Sequence, residues 1–207
     1  MFLYRWVGKQ FRKPAGWLGH WVARVMEKRN QECYDRVVNL LQVKDEDRIL
    51  EIGFGTGLAI RQITEQNPRC RILGLDFSRL MLRKAARNNR AALRSQQVRL
   101  ALGEFSGHDF GAETFTKIFI INVVYFWDDL PRMFSKIHRL LDKDGCLVMY
   151  LSGPERLGQL PFAVAGVFRR YTDGEVQNSL RSAGFSRIER DVVLRNGQQT
   201  FFFKIRK

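Results

Sequence analysis

The residues best suited to chemistry lie between positions 49 and 76. Gly53, Gly55 and Gly57 alternate in Gly53-Phe54-Gly55-Thr56-Gly57, directly after Ile49, Leu50 and Ile52, which read as a buried strand. An apolar helical pattern follows at Leu58, Ile60 and Ile63. Glycines in a strand-to-helix turn let backbone come close to a ligand, and the helix N-terminus offers free N–H donors. The next strand, Arg71–Leu75, ends in Asp76, nineteen residues beyond Gly57. A carboxylate at the tip of a second strand is placed to grip a ribose diol. These residues together imply a nucleoside-containing ligand.

The spacing separates several such ligands. The dinucleotide fingerprint G-x-G-x-x-G/A would end on Leu58 or Ile60, neither of them small. Close helix–strand packing over a pyrophosphate is therefore unsupported, and the phosphate-cradling G-x-x-x-x-G-K-[ST] loop is absent. The pattern E-x-G-x-G-x-G from Glu51 to Gly57, followed by Asp76, resembles the class I S-adenosylmethionine-dependent methyltransferases. The resemblance covers about residues 45–207 and implies an α/β, Rossmann-like fold. That fold has a seven-stranded, mostly parallel sheet with helices on both faces and a C-terminal antiparallel hairpin, its last strand inserted beside the fifth. Residues 1–44 would form an N-terminal helical cap, and the whole would be one structural domain.

The same resemblance implies S-adenosylmethionine as cofactor and S-adenosylhomocysteine as product. Glu51 and the Gly53-Phe54-Gly55-Thr56-Gly57 turn would border its methionine part. Asp76 would hold the ribose hydroxyls, with Phe77 and Ser78 beside the adenosine. Asp76 capping the helix that starts near Arg79 is the structural alternative. Glu104 and Phe105 stand where the family usually has an acid addressing the adenine amine, although the usual acid is shorter and its follower smaller. Asn122-Val123-Val124-Tyr125-Phe126-Trp127-Asp128 is similar to a segment of small methyltransferases of the menaquinone and ubiquinone biosynthesis type. There Asn122 would touch the cofactor, and Tyr125 and Trp127 would wall the acceptor pocket, or Trp127 would pack under the next helix. Two prolines expected of an enzyme methylating nucleobase amino groups are missing from this segment, and it holds no cysteine for covalent pyrimidine chemistry.

Catalytic residues stay unassigned, with Tyr125 and His20 as candidates; His108 and His138 read as loop and packing residues. Trp17, Trp21 and Arg170 join the acceptor-side candidates. The expected acceptor is a small molecule, anionic or lipophilic. The alternative is an RNA- or protein-directed methyltransferase that uses a basic surface.

The elements that must position these residues alternate. Helices are expected at Trp17–Arg29 and Gln31–Leu41, then strand 48–53, helix 57–66, strand 70–75, helix 79–93 and strand 97–102. Strand 116–122, helix 130–141 and strand 145–151 follow, then a helix over Asp173–Ala183. The capping pair Thr172 and Glu175 opens that last helix. Two strands, Phe185–Leu194 and Gln199–Lys204, flank the hairpin dipeptide Asn196-Gly197.

With 207 residues and 45% apolar content, one globular domain is the natural expectation. Thirty-five Lys plus Arg against twenty-one Asp plus Glu give a net charge of +14, which favours anionic partners. Arg5, Lys9, Arg12, Lys13, Arg24, Lys28 and Arg29 crowd the first thirty residues among Trp6, Trp17 and Trp21, with Glu27 the only acid. That segment reads as an amphipathic cap helix, with a membrane-surface helix or an organelle-targeting segment as alternatives. Cys33, Cys70 and Cys146 are odd in number and scattered, so neither a disulfide framework nor a metal site is expected, and a reducing cytoplasm is the expected setting.

Overall fold

The computed structural model describes residues 31–159 and 168–207. The expectations for Trp17, His20 and Trp21, and for the helix Trp17–Arg29, lie outside the described residues. Residues 31–41 are helical (α1). Then come β1 (Arg48–Ile52), α2 (Leu58–Gln66), β2 (Arg71–Asp76), α3 (Arg79–Asn88), α4 (Arg90–Arg94) and β3 (Val98–Leu102). The chain continues through β4 (Phe115–Ile121), a 3-10 turn (Val124–Phe126), α5 (Leu130–Leu140) and β5 (Leu141–Ser152). It ends with α6 (Pro154–Gly158), α7 (Asp173–Ser182), β6 (Arg187–Arg195) and β7 (Gln198–Arg206).

The seven strands form one sheet in the order β3-β2-β1-β4-β5-β7-β6. The first five are parallel, and β7 lies antiparallel between β5 and β6, as the resemblance implies. Strands buried on both faces read as apolar runs rather than alternations. Ile118 to Ile121 is such a run, and each of its residues is buried. One face of the sheet packs Leu50, Leu73, Ile118 and Ile120 beneath α5 and α7. The other packs Ile49, Ile72 and Phe119 against α2, α3 and α1, which supplies Cys33, Val37, Val38 and Leu41.

Two boundaries differ most from the sequence reading. The helix expected over 79–93 breaks at Asn89, whose side-chain amide donates to the carbonyls of Gly57 and Ala85, both at 2.9 Å. The neighbouring Asn88 amide donates to the carbonyl of Thr56 at 2.9 Å. The break is therefore a tertiary fastening of α3 onto the glycine turn. Strand β5 begins at Leu141 rather than 145, through an irregular register in which Phe115 pairs with Leu141 but Lys117 with Cys146. The Thr172–Glu175 capping box is present as the sequence suggests.

Candidate cofactor and acceptor crevice

The parallel strands end together on one edge of the sheet, and the winding reverses between β1 and β4, where the chain crosses from β3 back to the other side of β1. Such a switch point opens a crevice at the carboxyl ends of the strands. Its walls are Ile52, Gly53 and Gly55 from β1, Leu75, Asp76 and Phe77 from β2, and Gly103 to Phe105 after β3. The segment after β4 adds Ile121, Asn122, Val123, Phe126 and Trp127, and α3 adds Met81.

The glycine turn is shaped by its backbone. Gly53 has φ +79°, and a Cβ there would lie 2.3 Å from Cγ2 of Val123. Gly55 has φ +52°, with open space where a Cβ would stand. Side chains are disfavoured at both positions by the left-handed backbone, and at Gly53 also by contact. Phe54, flanked by these glycines, turns its ring away from the crevice to reach the core beside Gly74 and Ile60. Thr56, Gly57 and Ser78 likewise lie behind the wall rather than in it. Ser78 accepts the Met81 N–H as the N-cap of α3.

Asp76 is the centre of the polar wall. One carboxylate oxygen accepts the Gly55 N–H at 2.9 Å and the other the Ser78 N–H at 2.8 Å. With the Phe77 N–H also directed at the carboxylate, these bonds still leave a lone pair over, since a carboxylate offers about four acceptor sites. Burial pushes the Asp76 carboxyl up to about 6, against the pull of the backbone N–H groups of Ser78, Gly55 and Phe77. Glu51 is fully buried beside it, and burial, followed by the charge of Asp76, pushes its carboxyl well above the ordinary range. Its Oε2 has no hydrogen-bond partner. An orphaned buried carboxylate oxygen is uncommon in a finished core and marks a place where a donor is missing.

The opposite wall is apolar and saturated. Asn122 adopts φ +59°, a left-handed conformation rare outside glycine that concentrates at functional sites. Tyr125, expected to face the acceptor, is instead buried. Its hydroxyl donates to Oδ1 of Asn122 at 2.5 Å and accepts the Ser152 N–H at 2.7 Å. Burial raises the phenol above its usual range. Tyr125 thus sets the conformation of Asn122, and it is Phe126 and Trp127 that reach the crevice. Trp127 also packs edge-on against Phe134 of α5, so it lines the crevice and packs under the next helix at once. Phe105 stacks on Trp127 with centroids 5.8 Å apart. Arg170 is exposed and lies beside Gly158, away from the crevice lining, while its neighbour Arg169 pairs with Asp128 at 2.7 Å.

Sequence reasoning missed Lys136. From α5 its ammonium donates to the carbonyls of Phe105 (2.7 Å) and His108 (2.6 Å), and it lies 5.0 Å from the centre of the Phe105 ring. It fixes the loop that carries Glu104 and Phe105 to the crevice. Nothing in local sequence marks a lysine that acts across 31 positions.

The crevice thus has a buried acid, Asp76, in its wall, a second acid with an orphaned oxygen buried behind that wall, and a left-handed glycine turn, donor and acceptor groups suited to a ligand that carries a ribose and a cationic amine. Residues 49–145 match the family model of a methyltransferase domain. Those residues carry a methyltransferase domain, and together with the sheet order they support a class I S-adenosylmethionine-dependent methyltransferase. The uncharacterized methyltransferase YdaC of Bacillus subtilis is 29% identical over 121 residues, 58% of this chain and 65% of that protein. Magnesium protoporphyrin IX methyltransferase of Synechocystis, solved with bound S-adenosylhomocysteine, superposes with a TM-score of 0.69 at 14% identity, covering 86% of this methyltransferase and 83% of that chain. A chain from the complex of the Haloferax volcanii Trm112 methyltransferase activator with a methyltransferase superposes with a TM-score of 0.77 at 17% identity, over 89% of this chain and 92% of that one. The chain spans less than two thirds of the length of the first curated relatives it matches. Among the described residues no helix is long and apolar enough to cross a membrane.

Proposed function

We propose that this methyltransferase transfers a methyl group from S-adenosylmethionine to a small acceptor, anionic or lipophilic, seated against Phe126 and Trp127. The observation that carries the reading is the Asp76 carboxylate, buried in the crevice with acceptor sites to spare. In this reading Asp76 holds the two ribose hydroxyls, and Glu51 offers its orphaned oxygen toward the amine of the methionine part. Gly53 and Gly55 admit that part without a side chain in the way. Phe77 and Met81 flank the adenosine, with Glu104 near the adenine amine.

When bound, the cofactor supplies an electrophilic methyl on a sulfonium. The protein's contribution is orientation, which is worth up to about 7–11 kcal/mol of barrier in well-aligned systems. The aromatic wall of Phe105, Phe126 and Trp127 suits the passage from a cationic sulfonium to a neutral thioether, because ring faces attract positive charge without pairing it. No side chain is assigned as a base: the Tyr125 hydroxyl is engaged at both ends, and His20 remains the candidate from the segment proposed as cap, residues 1–44. The proposed setting is the cytoplasm, where the three cysteines, all buried and free, would stay reduced.

The test is calorimetric titration with S-adenosylhomocysteine, followed by a screen of metabolite extracts with methyl-labelled cofactor. Micromolar binding and label transfer to an extractable small molecule support the reading; absence of cofactor binding overturns it. Deleting residues 1–30 should impair acceptor use more than cofactor binding, whereas equal loss of both would mark that segment as core. An RNA- or protein-directed acceptor is the second reading, and a single surface feature favours it.

A further inference from the structure

From Phe77 to Gly103 the chain has twenty-seven residues with seven Lys or Arg and not one Asp or Glu. Five of the seven, Arg79, Arg83, Arg87, Arg90 and Arg94, recur every three or four positions along α3 and α4. At 100° per residue Arg79, Arg83 and Arg87 fall within an arc of about 80° on α3, and Arg90 and Arg94 continue the exposed row on α4 beyond the break at Asn89. All five are exposed, while Leu80, Met81, Ala85 and Ala92 on the other side are buried in the core. No acid pairs with any of the five among the described residues. The ridge starts three residues beyond Asp76, and Met81 on the same helix lines the crevice.

Folding does not account for this arrangement. Like charges at i,i+4 destabilise a helix by a few tenths of a kcal/mol per pair, and Arg79–Arg83, Arg83–Arg87 and Arg90–Arg94 are three such pairs. A small anion would need a cup, and this is a line. A lipid surface would need apolar anchors among the cations, yet the exposed large apolar residues among those described are Leu102, Val192 and Leu194, none of them on the ridge. Base stacking on a single strand would need aromatic rings, and the ridge has none. The ten residues of α3 rise about 15 Å and the five of α4 about 7 Å, so the row is long enough to meet several phosphates of a duplex, whose strands advance about 3.4 Å of axis per phosphate. Arginine is also the cation whose planar fork matches phosphate oxygens in pairs.

We infer that the α3–α4 arginine ridge docks the phosphate backbone of double-stranded nucleic acid, without reading its sequence, alongside the methyl-transfer crevice. The inference concerns docking and holds whether or not the docked strand supplies the methyl acceptor.

The experiment is fluorescence anisotropy of the full chain with labelled DNA and RNA duplexes of about 20 base pairs, titrated across about 50–200 mM salt. Five neutralised phosphates predict a log–log salt slope near −4.5, a loss of roughly 500-fold across that range. The double variant Arg83→Gln, Arg87→Gln should lower the slope by about 1.8 while leaving S-adenosylhomocysteine affinity unchanged, which shows that the variant is folded and that the cofactor site is intact. An unchanged slope in that variant overturns the inference. So does binding to vesicles of anionic phospholipid with none to duplex, which would assign the ridge to a membrane. Loss of cofactor binding in the wild-type chain would overturn the methyltransferase reading and leave the anisotropy result standing.

Discussion

The two walls of the crevice are built on opposite principles. On the β1–β2 side, Asp76 keeps acceptor capacity beyond its backbone N–H partners and Glu51 leaves one oxygen bare. On the β4–β5 side, the Tyr125 hydroxyl is satisfied by Asn122 on one flank and Ser152 on the other. Spare hydrogen-bonding capacity in a buried carboxylate is costly to keep unless a ligand completes it. A saturated phenol is scaffold. On the proposed reading the cofactor takes the first wall and the second shapes an apolar acceptor space, so polarity alone does not identify a binding residue.

Breaking the unsaturated wall should have the largest effect. Asp76→Ala is expected to weaken S-adenosylhomocysteine binding by tenfold or more, as the loss of charged hydrogen bonds worth about 1.5–3 kcal/mol implies; unchanged calorimetric affinity would contradict the assignment. Breaking the saturated wall should read out differently. Tyr125→Phe leaves the Asn122 carbonyl and the Ser152 N–H unpartnered, so thermal or urea unfolding should show a loss of about 1–3 kcal/mol with cofactor affinity changed far less than by Asp76→Ala.

Protons sharpen the same comparison. The Asp76 carboxyl, ordinarily near 3.8, is raised to about 6 in the folded protein. A raised carboxyl favours the folded state below its unfolded value, and that contribution is lost as pH rises through the folded value. The ligand-free protein should therefore lose stability between about pH 4 and pH 6.5, where this group changes charge. Cofactor affinity should run the other way, falling up to tenfold per pH unit below about 6 as the carboxylate is neutralised, and a calorimetric pH series checks both slopes. The smallest effect is expected of Glu51→Gln, which replaces a carboxyl that burial already holds neutral with a neutral amide of the same shape. It should leave the apparent pKa seen in that series unchanged, with a modest loss of affinity and little change in unfolding.

The glycine turn and Asp76 were legible because they are constrained locally: a strand, a bend without side chains and a helix start within ten residues. The strand order came through the resemblance, since periodicity gives elements and not their neighbours. What escaped was set by contacts across the fold. Phe54 looks like a ligand-facing ring until its flanking glycines twist it into the core beside Gly74. The break at Asn89 depends on the Gly57 carbonyl, 32 positions away. Tyr125 reads as an acceptor wall in the linear motif, because the Ser152 N–H that claims it belongs to the next strand.

Strand β7 follows both of its neighbours in the chain yet lies between them in the sheet. During synthesis the hydrogen-bonding edge of β5, with Leu147 to Leu151 already apolar on both faces, therefore waits without a mate until residues 198–206 leave the ribosome. An unpaired apolar edge of that kind templates association with other chains. Nascent copies stalled before residue 198 should accordingly be the aggregation-prone form of this polypeptide, and the hairpin turn at Asn196-Gly197 works as the latch that shortens the wait.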